Sequence, residues 1–258
     1  MTIYEPNFIY ANEDSMSYGV MLCSIDTINT DTNDEENNII TSTTPYKETW
    51  DFHGVEKSAP LQFTITIAKT DGTYFDAFEM RMCKKWLCKN TFNWLQINQN
   101  DISDAFYYCI ITNPRPVNVG MLTAGLQFNV TCNAQSPWTE LKSKVYTSTV
   151  TKNLSVNVIS DFDKYVLYPI LTVAATANGD ISIVNNTINK TLTFKGCVTN
   201  EIITLDCRNY KIKSSLGRVM LDSWNKNILE LVEGTNSIVM EGAFTMKLQY
   251  RLPIRIGG

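Results

Sequence analysis

The sequence predicts a mainly β protein built from two β-rich domains with a single α-helix. Apolar residues make up 44% and charged residues 19% of the 258 residues, as in folded globular chains. The stock of 12 Tyr and 11 Phe, together with abundant Thr, Val and Ile, favours strands. Alternating apolar and polar residues recur along most of the chain, and helical spacing appears in one segment. A chain of this length can bury one large core or two medium ones.

The first half contains the strands and the helix. Residues Leu61–Ile67 alternate as a strand that Asp71 and Gly72 interrupt. From Tyr74 apolar residues recur at spacings of three and four, which predicts a helix, and strands resume after Asn90. The predicted apolar stripe of this helix consists of Phe75, Phe78, Met82 and Trp86.

The second half predicts an antiparallel sandwich or jelly roll. The polar segment from Asn133 to Pro137 marks a change of domain. From Val166 onwards, turn-forming residues separate short strands at intervals of roughly 8–12 residues, with no helical run. Near the end, an amphipathic strand is predicted, whose backbone needs a partner and whose apolar face needs a core. Its apolar positions are Met246, Leu248, Tyr250 and Leu252.

Catalytic and metal-binding patterns are absent from the sequence. The seven cysteines form no C-x-x-C motif, and His53 is the only histidine. Five of the cysteines lie in apolar runs and are interpreted as small core residues, namely Cys23, Cys109, Cys132, Cys197 and Cys207. Cys83 and Cys88 lie on the predicted helix, at a spacing that does not put them on one face. We therefore predict no metal site, no cofactor and no enzymatic activity. The acidic run Asp31–Asn38 lacks the glycine and glutamate of a calcium loop, and neither a phosphate-binding loop nor a nucleophile elbow occurs. A pair of glycosidase carboxylates stays an open alternative, because only the fold can bring such a pair together.

Charge and hydropathy exclude two classes of partner. A net charge of −4 without a basic cluster predicts no specific nucleic-acid binding. No segment approaches the roughly 18 apolar residues of a membrane span, so no membrane insertion is expected. The first residues lack the pattern of a signal peptide, which predicts synthesis in the cytoplasm.

A saccharide site in the second domain is the main alternative function. Aromatic rings stack on sugar rings, and Trp224 and Tyr210 are the candidate contacts. A carbohydrate-binding module of this kind would contact cell-wall saccharide of a host. A jelly roll also buries aromatic residues in its own core, so the fold by itself does not decide between the two uses.

Four segments, in their order and spacing, resemble the distal tail protein of long-tailed, non-contractile bacteriophages, the Dit-like hub of the tail tip. They are Pro60–Ile97 with the Trp86-Leu87 pair, Phe106–Trp138 with Cys132-Asn133-Ala134, Gly179–Ile212 with Leu205-Asp206-Cys207, and Leu231–Gly242 with the turn at Gly234, Thr235 and Asn236.

The resemblance implies an architecture of three parts. Residues 1–139 would form a β-sandwich or split-barrel ring domain with one helix, and residues 140–243 a galectin-like β-sandwich. Residues 244–258 would form a C-terminal strand that returns to the N-terminal domain.

The resemblance also implies a structural role in the virion tail tip, after synthesis in the host bacterial cytoplasm. Six copies would form a ring through which DNA passes. The expected partners are the tail tube protein, the tail-tip or tail-associated protein, and a receptor-binding protein. The candidate interface residues are Arg251, Arg255, Trp50 and His53.

Overall fold

The computed structural model describes residues 7–27, 37–43, 46, 48–57, 59–97 and 105–255. Two compact units divide the chain: residues Met1–Glu140 with the end from Ile254 form the first, and Leu141–Pro253 form the second. The opening six residues and most of the acidic run at 31–38, on which two expectations rest, lie outside the described ranges. A mainly β protein with two β-rich units is confirmed, and α1 is the single α-helix among the described residues.

The first unit is organised around one antiparallel sheet of seven strands, in the order β2-β1-β7-β8-β9-β6-β3. A two-stranded ribbon lies outside this sheet. The sheet strands are β1 (Phe8–Tyr10), β2 (Glu13–Asp14), β3 (Val20–Thr27), β6 (Gln62–Lys69), β7 (Asn93–Ile97), β8 (Ala105–Val119) and β9 (Leu122–Cys132); the ribbon strands are β4 (Asn37–Ser42) and β5 (Asp51–Lys57). A 3₁₀ turn at Ser15–Tyr18 follows β2.

Helix α1 (Ala77–Leu87) begins at a capping box. The Glu79 amide donates to Asp76 Oδ1 at 2.7 Å, and the Asp76 amide donates to Glu79 Oε2 at 2.9 Å, so two backbone donors of the first turn are satisfied. Trp86 anchors the other end, with its ring stacked on Tyr18 at 4.2 Å and its indole N–H donating to the Tyr10 carbonyl at 3.3 Å.

The apolar stripe predicted for this helix was partly wrong. Cys83, Trp86 and Leu87 define the buried face, whereas Phe78 is 68% and Met82 40% exposed. Phe78 lies five positions before Cys83, roughly 140° around the helix axis, so it cannot share that face. Two apolar side chains of α1 therefore point to solvent.

The cysteines are mostly core residues, with one correction. Cys109 on β8 lies opposite Cys132 on β9 in the strand register, and both are buried free thiols. Cys197 and Cys207 are buried in the second unit. Burial raises the pKa of the Cys132 thiol to about 12, so it stays protonated at neutral pH. Cys23, expected in the core, is exposed because it lies at a register shift between β3 and β6, where an extra residue turns its side chain out.

The second unit is a sandwich of a five-stranded sheet, in the order β10-β20-β13-β16-β17, and a four-stranded sheet, in the order β11-β19-β14-β15. A short pair, β12 with β18, completes it. The strands are β10 (Lys142–Ser148), β11 (Thr151–Val158), β12 (Val166–Leu167), β13 (Ile170–Ala175), β14 (Gly179–Asn185), β15 (Lys190–Cys197), β16 (Ile202–Asp206), β17 (Lys211–Ser214), β18 (Leu231–Val232), β19 (Gly234–Glu241) and β20 (Phe244–Tyr250).

A buried asparagine fixes the turn before β19. The Asn236 side chain is fully buried, accepts from the Val232 amide at 2.9 Å and donates to the Val232 carbonyl at 2.7 Å. Gly234 between them has φ +86°, a conformation that favours glycine. The glycine and asparagine of the quoted turn therefore have a structural role in the sandwich.

The prediction that the last strand returns to the first domain was wrong for β20. This strand lies between β10 and β13 inside the second unit, where Met246 pairs with Val173 and both side chains are fully buried. Only from Ile254 does the chain join the first unit, through its amide donating to the Pro137 carbonyl at 2.9 Å and its side chain packing on the first core. An alternating pattern specifies a buried face but not the sheet that supplies its neighbours.

The position of β20 generates a truncation test. A chain ending after Ala243 loses a strand with a neighbour on each side, so we expect the second unit to unfold. A chain ending after Pro253 keeps β20 and should retain the second unit.

In the full chain, Leu248→Ala should lower the free energy of unfolding by about 2–5 kcal/mol, because removal of this fully buried side chain leaves a cavity. Circular dichroism during urea denaturation measures each effect.

The contrary result would be a chain ending after Ala243 that keeps a cooperative, protease-resistant second unit. β20 would then be dispensable for the sandwich.

Candidate assembly surface

Exposed apolar side chains concentrate on two projecting hairpins of the first unit. We call residues Asn37–Ser42 with Trp50–Lys57 the β4–β5 ribbon, and residues Asn113–Leu122 the β8–β9 arm. On the ribbon, Ile39, Trp50 and Phe52 are each about two-thirds exposed. On the arm, Val119, Met121 and Leu122 are at least half exposed, and Met121 entirely so. Contiguous exposed apolar side chains on a soluble protein mark interaction surfaces.

The β8–β9 arm exists because two neighbouring strands are longer than the sheet beside them. β6 pairs with β9 only as far as Ala68 opposite Gly125, and beyond that point β8 and β9 continue as a two-stranded hairpin. At the base of the arm, the Phe75 amide donates to the Thr123 carbonyl at 2.9 Å. At the tip, Gly120 has φ +62°, which allows the tight reversal.

Two prolines restrict how the arm can bind. Pro114 and Pro116 lack backbone N–H groups, and the pairing of β8 with β9 shifts register between Thr112 and Arg115 and again between Val117 and Asn118. Proline and bulges on an edge prevent another strand from pairing with it. The β8 edge of the arm therefore pairs poorly with another strand, and we expect contacts along that edge to use side chains.

The ribbon and the arm are joined to the sheet at opposite ends of β6. At one end of β6, Phe63 pairs with Thr27, the last residue of β3, and this is the end that follows β5 in the chain. At the other end, Ala68 pairs with Gly125, at the base of the arm. Phe63 and Ala68 are five residues apart on β6, so these two ends are separated by about 17 Å.

The predicted interface residues fall on different parts of the chain. Trp50 and His53 both belong to the β4–β5 ribbon, where His53 Nε2 and Ser42 Oγ are 2.5 Å apart. Arg251 is half-buried at the end of the second unit, and Arg255 is exposed just after Ile254. Trp50 and His53 thus share one hairpin, away from Arg251 and Arg255 in the sequence. The sequence analysis did not identify the arm. The segment Pro114–Leu122 contains only one charged residue, and an exposed segment with so few charges indicates contact with a partner. The alternation of the flanking strands concealed this signal.

The two candidate saccharide residues do not form one site. Trp224 is only 7% exposed, forms a bridge with Phe194 of the four-stranded sheet, and donates its indole N–H to the Asn227 carbonyl at 2.6 Å. No ring face is left for a sugar, so this prediction was wrong. Tyr210 is 58% exposed, but it lies in the turn between β16 and β17 of the other sheet.

One open cleft of the second unit does not supply a saccharide site either. This cleft of about 410 Å³ is lined by Asp163, Lys164, Val232, Glu233 and Gly234, without an aromatic residue. Its Lys164 amide already donates to Glu233 Oε2 at 2.9 Å.

The described ranges contain neither a cluster of metal ligands nor a helix that could span a membrane. No group of three or more His, Cys, Asp or Glu side chains there is arranged to hold a metal ion. No helix in this part of the chain is long and apolar enough to cross a membrane.

Comparison with protein families identifies the family of the chain. A model described as a phage tail protein N-terminal domain matches residues 3–134, and its companion, a phage tail C-terminal domain, matches residues 138–250. The chain belongs to this phage tail protein family. Comparison with curated protein sequences gave no match.

The fold of this tail protein is similar to a solved distal tail protein. The crystal structure of the Dit protein (gp 19.1) of phage SPP1, described as a paradigm of the hub adsorption apparatus in phages that infect Gram-positive bacteria, superposes with a TM-score of 0.67. The match covers 95% of this chain and 98% of that chain at 9% sequence identity, so the likeness is one of fold. The Dit-like resemblance is confirmed.

A buried ion pair stiffens one surface loop of the tail protein's second unit. The Glu201 side chain is fully buried, and its carboxylate accepts from Arg218 Nε at 2.6 Å and from Ser214 Oγ at 2.6 Å. Burial raises the pKa of Glu201, but the hydrogen bonds from Arg218 and Ser214 outweigh burial and hold that pKa below its usual value. The loop held in this way exposes Leu216, Val219 and Leu221, a small apolar surface.

The ion pair generates a stability prediction. Glu201→Gln should lower the free energy of unfolding at pH 7 by about 3 kcal/mol, because the Arg218 charge is left partly buried without its partner. The folded pKa of Glu201 lies below the unfolded one, so the contribution of the pair is complete above the usual value of 4.5 and is lost as the pH falls through the folded pKa. The deficit of the variant should therefore shrink below pH 4.5 in urea denaturation.

A matched control is Lys190→Gln, which removes an exposed pair with Glu230 at 2.6 Å. This change should cost less than about 1 kcal/mol. Equal effects of the two substitutions would show that Glu201 and Arg218 do not hold the loop.

Proposed function

We propose that this protein is the structural hub of a bacteriophage tail tip, in which six copies form a ring. The observation that carries the proposal is the pair of hairpins in the first unit that expose apolar side chains and that the chain joins to opposite ends of β6. A subunit with two different apolar interaction surfaces makes head-to-tail contacts with its copies. Such contacts close into a ring when the rotation between neighbouring subunits brings the last copy back to the first. Membership of a phage tail family and a Dit-like fold support the same role.

The ring would connect the tail tube to the parts that reach the host. We propose that one face meets the tail tube protein and the other the tail-tip protein, while the second unit offers its exposed loop to a receptor-binding protein. The net charge of −4 suits a lumen through which DNA passes without being held. The protein would act in the virion tail after synthesis in the host bacterial cytoplasm, without catalysing a reaction.

The oligomeric state tests the proposal directly. The subunit mass is 29.2 kDa, so a ring of six should sediment at roughly 175 kDa and appear as an annulus in negative-stain micrographs. Analytical ultracentrifugation over a range of protein concentrations, with micrographs of the same samples, supplies the measurement.

Sedimentation as a 29.2 kDa monomer at every concentration, without annuli at the ends of native tails, would remove the hub proposal. Binding of the purified protein to cell-wall polysaccharide in that case would favour the carbohydrate-binding module.

A further inference from the structure

We infer that the β8–β9 arm of one copy packs against the β4–β5 ribbon of a neighbouring copy. This inference rests on the proposed ring and specifies its contact. Both hairpins are described parts of the first unit, and both expose apolar side chains that the unit itself does not cover.

The exposed apolar surface of the arm is too small to form a stable interface by itself. Val117, Val119, Met121 and Leu122 together offer roughly 300 Å² of apolar surface, the range in which exposed patches on monomers are functional. A stable interface takes about 800 Å² from each partner. The arm therefore contributes part of a larger contact, to which a second apolar surface must belong.

The β4–β5 ribbon matches the arm in character. Its exposed Ile39, Ile40, Trp50 and Phe52 give an aliphatic and aromatic surface of similar extent. The single charged residue of the arm, Arg115, is exposed and has no ion-pair partner among the described residues. The loop between β4 and β5 carries an exposed acidic residue, Glu48, so the two surfaces also fit in charge.

The positions of the two hairpins make a second copy the natural occupant. Within one subunit Trp50 of the ribbon is 68% exposed and Met121 of the arm is fully exposed, so neither surface covers the other in the same copy. Two complementary patches on separate parts of one molecule produce a head-to-tail contact between copies. The prolines of β8 disfavour pairing of another strand along that edge.

Site-specific photo-crosslinking tests the contact in the full-length protein. We would place p-benzoylphenylalanine at position 121, mix ¹⁴N- and ¹⁵N-labelled protein, irradiate, and identify crosslinked peptides by mass spectrometry. The expected product joins position 121 to a peptide within residues 37–57 of the other isotope. The same probe at Val150, which is 73% exposed in the second unit, should give no crosslink to the ribbon.

A paired substitution provides a second readout. Val119→Asp with Met121→Asp should raise the protein concentration needed for half-assembly at least about tenfold, because charges enter an apolar contact. Val150→Asp is the matched control and should leave assembly unchanged. Circular dichroism melting checks that the arm variant is folded, as expected for changes at exposed positions.

The outcomes separate this inference from the hub proposal. If the wild-type protein forms no ring, the hub proposal fails. If it forms rings but the arm variant assembles equally well, or the probe at 121 crosslinks only outside residues 37–57, the hub proposal stands and the arm–ribbon contact is overturned.

Discussion

Unequal strand length in the seven-stranded sheet is the constraint on which the character of the first unit depends. β8 runs for 15 residues and β9 for 11, whereas β6 beside them has only 8. Where β6 stops, the two longer strands continue as a hairpin without a third strand beside it. The exposed apolar surface is thus a consequence of sheet geometry, and it is one of the surfaces through which we propose that the copies assemble.

In the second unit, hydrogen bonds from buried polar side chains hold the surface loops in place. Asn236 satisfies the backbone of its turn, and Arg218 satisfies the fully buried carboxylate of Glu201. An unpaired polar group in such a position would be costly, so each network holds its loop in one conformation. A rigid sandwich with a small apolar loop suits a domain that presents a surface rather than one that encloses a ligand.

The chemistry of the chain agrees with a role in assembly. Burial raises the pKa of the thiols of Cys132 and Cys207 to about 12, which leaves them protonated and unreactive. His53 is exposed on the ribbon beside Ser42 rather than in a cleft. Trp224, the strongest candidate for stacking on a sugar, packs inside the sandwich.

The sequence by itself determined the mainly β character, the junction between the units near residue 140, and the helix between Tyr74 and Asn90, in which Asp76 and Glu79 form a capping box. These features are set by local spacing and by side chains that bond to nearby backbone. Tertiary structure alone decided that β20 lies between β10 and β13, that Cys23 turns outward at a bulge, and that Phe78 faces solvent. Alternation specifies which face of a strand is buried, but the choice of neighbour depends on strands distant in the sequence. The arm was hidden for the same reason, because exposure begins where a neighbouring strand ends, and no local pattern records that point.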